Sequence, residues 1–144
     1  MTTVRQILET KGRDIWSVVP DAAVFDAIKL MADKNVGALI VLDGDKLKGI
    51  ISERDYARKV ILKGKSSKET RVHEIMSTGV ITIRPESSID ECMAMMTHKR
   101  VRHLPVIERD KLLGVISIGD VIKAIIAEQE FTIKQLENYI TGGR

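Results

Sequence analysis

Gly49-Ile-Ile-Ser-Glu-Arg-Asp55 returns sixty-five residues later as Gly114-Val-Ile-Ser-Ile-Gly-Asp120. At that offset Pro20–Asp55 aligns with Pro85–Asp120 without a gap, and 13 of the 36 positions are identical. Ordinary amino-acid usage would give about 2 or 3. Several of the other 23 positions exchange one apolar residue for another. The chain therefore contains one structural unit twice, and self-similarity at a fixed offset marks a repeated supersecondary unit.

Working outward, each copy reads as the same series of elements. Ile15–Val18 and Val80–Ile83 are short β-branched runs, each read as a strand ending near Pro20 or Pro85. Val24, Ala27, Ile28 and Met31 fall at helical spacing, as do Ile89, Cys92, Met93 and Met96, and each set makes one apolar helix face. Two strands follow in each copy, Ala38–Leu42 with Leu47–Ser52 and Leu104–Ile107 with Leu112–Ser117. A second helix is expected from Ser52 and from Ser117. The unit is β-α-β-β-α, so the fold class is α/β. A unit of about 50 residues has a marginal core alone, so two repeats packed sheet to sheet with pseudo-two-fold symmetry are expected.

The expected segments are 1–65 for the N-terminal stretch and first repeat, 66–130 for a linker and second repeat, and 131–144 for a short C-terminal helix and tail. Lys63–Arg71 lacks apolar residues and reads as a surface linker. Phe131, Ile133, Leu136, Tyr139 and Ile140 suggest the short amphipathic helix. Its apolar positions call for a partner, either the same chain or a second subunit.

Composition narrows the function classes. The 144 residues bury enough surface for a core without disulfide or metal staples, and Cys92 is the single cysteine. A reducing, cytoplasmic setting is the expectation. No apolar run approaches the roughly 20 residues of a membrane span, and the N-terminus lacks the pattern of a signal peptide. The net charge is only +3 and the five aromatic residues are scattered, which argues against a stacking platform for nucleic acid. His73, His98 and His103 are not spaced as a metal site, and no P-loop, GxGxxG, HExxH or nucleophile elbow is present. Neither catalysis nor a catalytic cofactor is expected.

The two glycine–apolar–apolar–Ser–x–x–Asp motifs, with Val36-Gly-Ala-Leu-Ile-Val41 and Val101-Arg-His-Leu-Pro-Val106 before them, resemble those of CBS domains (the cystathionine-β-synthase type of module). The resemblance spans about Ile15 to Gln129. It implies a free-standing pair, a Bateman module, often dimeric, that binds AMP, ADP, ATP, NAD or S-adenosylmethionine in clefts between the repeats. AMP is the foremost expectation, and a regulatory sensor of adenylate state the expected role.

The chemistry fits such a role. A carboxylate in the first turn of a helix accepts hydrogen bonds from both ribose hydroxyls, and charge-assisted bonds are the strong ones. By the family's pattern Asp120 and Ser117 would share a cleft with Ile15, Gly37 and Ala38. Asp55 and Ser52 would share the other with Val80, Arg102 and His103. Arg54, Arg102 and His103 make the Asp55 cleft the more basic, and two non-equivalent sites are expected.

Each Ser-x-x-Asp also fits a helix capping box, and both roles can coexist on one motif. Gly49 and Gly114 read equally as relief of crowding within a strand. Two rival functions stand beside the sensor: an interaction scaffold with vestigial clefts, and an RNA-binding accessory using Lys63–Arg71 and the arginine patch.

Overall fold

The structure is a computed structural model that describes residues 2–142. The ends of the expected first and last segments, residues 1, 143 and 144, lie outside the described residues. The chain divides into two compact units, Asp14–Ile81 and a second made of the residues up to Arg13 with those from Thr82 onward.

In the first of these, β1 (Ser17–Val18) runs parallel to β2 (Ala38–Asp43), and β2 pairs antiparallel with β3 (Lys46–Ser52). Of the expected strand Ile15–Val18, only Ser17 and Val18 pair. Helix α2 (Val24–Lys34) buries Val24, Ala27 and Met31, the face its apolar spacing predicts. It lies against a core of Leu39, Val41, Ile51, Val60, Val72 and Ile75. After β3 the chain turns through α3 (Glu53–Tyr56) into a wider π-type turn, Ala57–Ile61. A single turn of helix, α4 (Val72–Ile75), closes the unit.

The expected linker is anchored to this unit. Helix α2 begins at Ala23, which has no side chain able to cap it. Its orphan N–H groups at Val24 and Phe25 donate instead to the carbonyls of Thr70 and Ser67, each at 2.9 Å. The polar stretch thus satisfies a helix start that would otherwise lack acceptors.

The other unit contains α1 (Val4–Lys11), α5 (Ile89–Lys99), the hairpin β4 (His103–Glu108) with β5 (Lys111–Ser117), and α6 (Ile118–Ile140). Helix α1 starts with a capping box in which Thr3 and Gln6 exchange hydrogen bonds. It buries Val4, Ile7 and Leu8, and Leu8 lies against Gly114 of β5. Its place corresponds to that of α4 in the first unit. Thr3 bridges Ser88 at the start of α5, as Arg71 bridges Ala23 at the start of α2.

Two expectations are corrected here. Val80–Ile83 forms no strand; Ile83 alone bridges Val106. The separate C-terminal helix is absent as well, because α6 continues without interruption for 23 residues to Ile140. After Gly119 no glycine or proline breaks it before Gly142, so nothing ends the helix where a second one was expected.

Candidate nucleotide-binding site

Both Ser-x-x-Asp motifs cap helices, and they do so reciprocally. The hydroxyl of Ser52 accepts from the Asp55 N–H at 3.1 Å, while the Ser52 N–H donates to Asp55 Oδ2 at 3.0 Å. In the second copy the Ser117 hydroxyl accepts from the Asp120 N–H at 3.1 Å, and the Ser117 N–H donates to Asp120 Oδ2 at 2.8 Å. The serine holds the helix end, and that bond fixes the direction in which each carboxylate points. The capping box is therefore also the device that positions the acid.

Beyond the cap the two aspartates differ. Lys11, from the last turn of α1, donates to Asp120 Oδ2 at 2.6 Å and to the carbonyl of Val115 at 2.9 Å. Among the described residues nothing engages Asp120 Oδ1. At Asp55 both oxygens are taken. Oδ2 accepts from Ser52, and Oδ1 faces Lys59 at 3.3 Å and the Ser77 hydroxyl at 3.5 Å. The side chains are similarly accessible, 16% for Asp120 and 14% for Asp55.

Burial by itself would raise the Asp120 carboxyl, but the bonds from Lys11 and from the Ser117 N–H outweigh it and hold the group below its ordinary value. Asp120 is therefore ionised at neutral pH. His103 is pushed the other way for a base: burial, then the charge of Lys11, lowers its pKa and keeps the imidazole neutral. Cys92 is buried in α5, and burial raises its thiol to about 11; it is a core residue. Among the described residues no cluster of His, Cys, Asp and Glu could hold a metal ion.

The remaining expected site residues fall on strand entries. Ala38 pairs with Ser52, and the Glu53 N–H donates to the carbonyl of Gly37 at 3.0 Å. His103 pairs with Ser117, and the Ile118 N–H donates to the carbonyl of Arg102 at 2.9 Å. Within each unit the structure thus gathers the Ser–Asp pair and the strand entry of the same repeat. Ile15 and Val80 are half-buried, while Arg54 and Arg102 are exposed. Lys11, Lys59 and Ser77 are absent from the sequence reading. Lys59 stands four residues after Asp55, a spacing that brings helical side chains together and was open to reading. Lys11 lies 109 residues from Asp120, and no local pattern predicts that contact.

The CBS domain family matches residues 4–62 and 72–127. The CBS domain-containing protein CBSX3, mitochondrial, of Arabidopsis thaliana is 41% identical over 152 residues, covering 99% of this chain and 73% of that one. A solved protein with CBS domains from Burkholderia ambifaria is 56% identical with a TM-score of 0.86, covering 89% of this chain and 96% of the other. The CBS domain pair of protein MJ0100, solved with 5′-methylthioadenosine and S-adenosyl-L-methionine, shares the fold at a TM-score of 0.79 and 23% identity, over 89% of this chain and 98% of that one. No described helix is long and apolar enough to cross a membrane. With both repeats matched and both motifs in place, the chain belongs to the CBS domain family as a tandem CBS pair.

Proposed function

We propose that this CBS pair binds an adenosine-containing nucleotide, AMP foremost with ADP, ATP or NAD as alternatives, and acts as a non-catalytic regulatory sensor. The observation that carries the reading is Asp120. It is an ionised, largely buried carboxylate held in place by Ser117 and Lys11, with one oxygen still open. Such a group accepts from a ribose hydroxyl without first losing a partner. A CBS pair of the same fold accommodates two adenosyl ligands in MJ0100, which is in keeping with this reading.

Asp120 is the first anchor and Asp55 the second, because a ribose at Asp55 has to compete with Lys59 and Ser77. Adenine is read by the backbone of the strand entries, Gly37 and Ala38 in one repeat and Arg102 and His103 in the other, with Ile15 and Val80 as apolar walls. Arg54 supplies a cation for phosphates near Asp55. Lys11 gives Asp120 a cation of its own, so phosphate binding is not confined to the Asp55 site. The sensor works in the cytoplasm, where its one buried cysteine meets no oxidising demand.

The test is isothermal titration with AMP, ATP, NAD, 2′-deoxy-AMP and GTP on the wild type, Asp120→Asn and Asp55→Asn. Asparagine retains an oxygen for the cap and removes the charge. A hydrogen bond to a charged group is worth about 1.5–3 kcal/mol, so Asp120→Asn should weaken AMP by at least about tenfold, and Asp55→Asn by less at the first site. No binding of any adenosine ligand, or AMP binding indifferent to both substitutions, would remove the proposal.

A further inference from the structure

Lys11 sets the charge that a ligand meets at Asp120. It comes from the last turn of α1, a helix fixed by the buried Val4 and Leu8. Gly12 ends that helix directly behind it, donating its N–H to the carbonyl of Leu8 at 2.8 Å. The ammonium is thus delivered by an anchored element. An ammonium has three hydrogens to donate. Two are spent, on Asp120 Oδ2 at 2.6 Å and on the Val115 carbonyl at 2.9 Å. Among the described residues nothing takes the third.

The surroundings leave room for a ligand. A groove of about 690 Å³ opens between α1 and the first turns of α6, with Lys11 and Asp120 on its wall. On the α6 side Ala124 and Ala127 line it with methyl groups alone, which keeps the space open. Lys123 stands one turn along from Asp120 on the same side. Glu9, the other acid on the groove among the described residues, balances that lysine. With Asp120 already paired to Lys11 the groove carries no net charge, so a ligand responds to the group nearest its anchor. That group is Lys11. His103 reports the local balance: after burial, the charge of Lys11 acts on its imidazole more strongly than the opposing charge of Asp120, and Arg102 adds to Lys11. The field at His103 is positive although Asp120 is ionised.

We propose that Lys11 is a specificity-determining residue of the Asp120 site, selecting adenosine ligands that carry a 5′ phosphate and rejecting those that carry a 5′ sulfonium. This selection rests on the nucleotide reading given above. A ribose held at Asp120 Oδ1 keeps its 5′ substituent one sugar ring from the ammonium on Oδ2, inside the roughly 8–10 Å over which a charge escapes screening by salt. A lone carboxylate attracts a cation. One already paired with an anchored ammonium does not, and the third hydrogen of Lys11 calls for an acceptor. Phosphate oxygens accept it in a charge-assisted bond. A sulfonium accepts nothing and sets a second positive charge beside the first, a placement by which sites exclude a wrong partner. AMP, ADP, ATP and NAD all carry the 5′ phosphate. S-adenosylmethionine, which the family resemblance also implied, is excluded from this site.

Isothermal titration tests this on the full chain carrying Asp55→Asn, which leaves Asp120 as the ionised anchor. Two matched pairs isolate the charge. AMP and adenosine differ by the phosphate, and S-adenosylmethionine and S-adenosylhomocysteine differ by the methyl group that makes the sulfur cationic. With Lys11 in place, AMP should bind at least about tenfold tighter than adenosine, and S-adenosylmethionine at least about tenfold weaker than S-adenosylhomocysteine. Lys11→Met keeps the stem without the charge and should abolish both differences, whereas Lys11→Arg should preserve their sign. Comparing ligands within one protein cancels any general loss from a less stable fold. S-adenosylmethionine bound as tightly as S-adenosylhomocysteine in the presence of Lys11 would overturn the proposal, as would an AMP preference that survives Lys11→Met. Equal loss of all four ligands in Lys11→Met would also overturn it and make Lys11 a structural residue. Failure of the nucleotide reading looks different, because none of the four would then bind even with Lys11 present.

Discussion

At Asp120 one carboxylate serves three neighbours: the cap at Ser117, the ammonium of Lys11 and an open oxygen for a ligand. The Lys11 contact is a part-exposed ion pair, for which solvent screening limits the gain to about 1 kcal/mol or less. Its pH dependence is nevertheless diagnostic. Burial opposes ionisation of Asp120, but the Lys11 and Ser117 bonds prevail and lower the folded pKa below the ordinary 3.8. The unfolded chain therefore binds the proton first as the pH falls. The stabilisation is complete above about pH 5 and is lost as the pH drops through the folded value. Lys11→Met should thus melt below the wild type at pH 7, and the gap between the two should narrow as the pH falls below 3.8. A gap that persists in acid would mean that Lys11 contributes through the packing of its stem and not through charge.

The two hairpins show what a repeat makes legible at the scale of elements and what it hides. Strands β2, β3, β4 and β5, and helices α2 and α5, all follow from aligned apolar spacing, because their side chains answer to a nearby core. Gly49 is similarly accessible to sequence reasoning: a Cβ there would stand 2.6 Å from the carbonyl of Ser77, the crowding its place in the motif suggested. Helices α1 and α4 lie outside the repeated register, and their partners are distant in sequence. The Thr3–Gln6 capping box and the spacing of Val4, Ile7 and Leu8 were nevertheless readable signals for α1.

The turns differ in a way that only backbone geometry reveals. The β2–β3 turn has Gly44 at φ 63°, whereas the β4–β5 turn has Arg109 at 51° and Asp110 at 65°. Two central residues with positive φ match the two-residue type I′ turn, which favours Asn-Gly. Left-handed backbone costs a non-glycine residue about 1–2 kcal/mol. Arg109→Asn with Asp110→Gly should therefore stabilise the chain by about 1 kcal/mol, seen as a higher denaturant midpoint at unchanged slope. An unchanged or lower midpoint would mean that the native side chains offset the strain through contacts of their own.

At the scale of the whole molecule, the division of the chain is not the division of the sequence. The first thirteen residues precede β1 of the first repeat yet pack with the second, through Val4 and Leu8. Long-range packing of this kind has no local signature, which is why the membership of α1 could not be read. It has an energetic consequence. Leu8 is 1% exposed, and truncating a buried leucine to alanine costs about 2–5 kcal/mol, depending on how far the site collapses. Leu8→Ala should lower the hydrogen-exchange protection of β4, β5 and the first turns of α6. The amides of β2 and β3 belong to a core built from Met31, Leu39, Val41 and Ile51, and that core contains nothing from α1. If each unit opens on its own, their protection should remain at the wild-type level. Equal loss in both hairpins would instead mean that the pair unfolds as one cooperative body, with α1 contributing to the stability of both repeats.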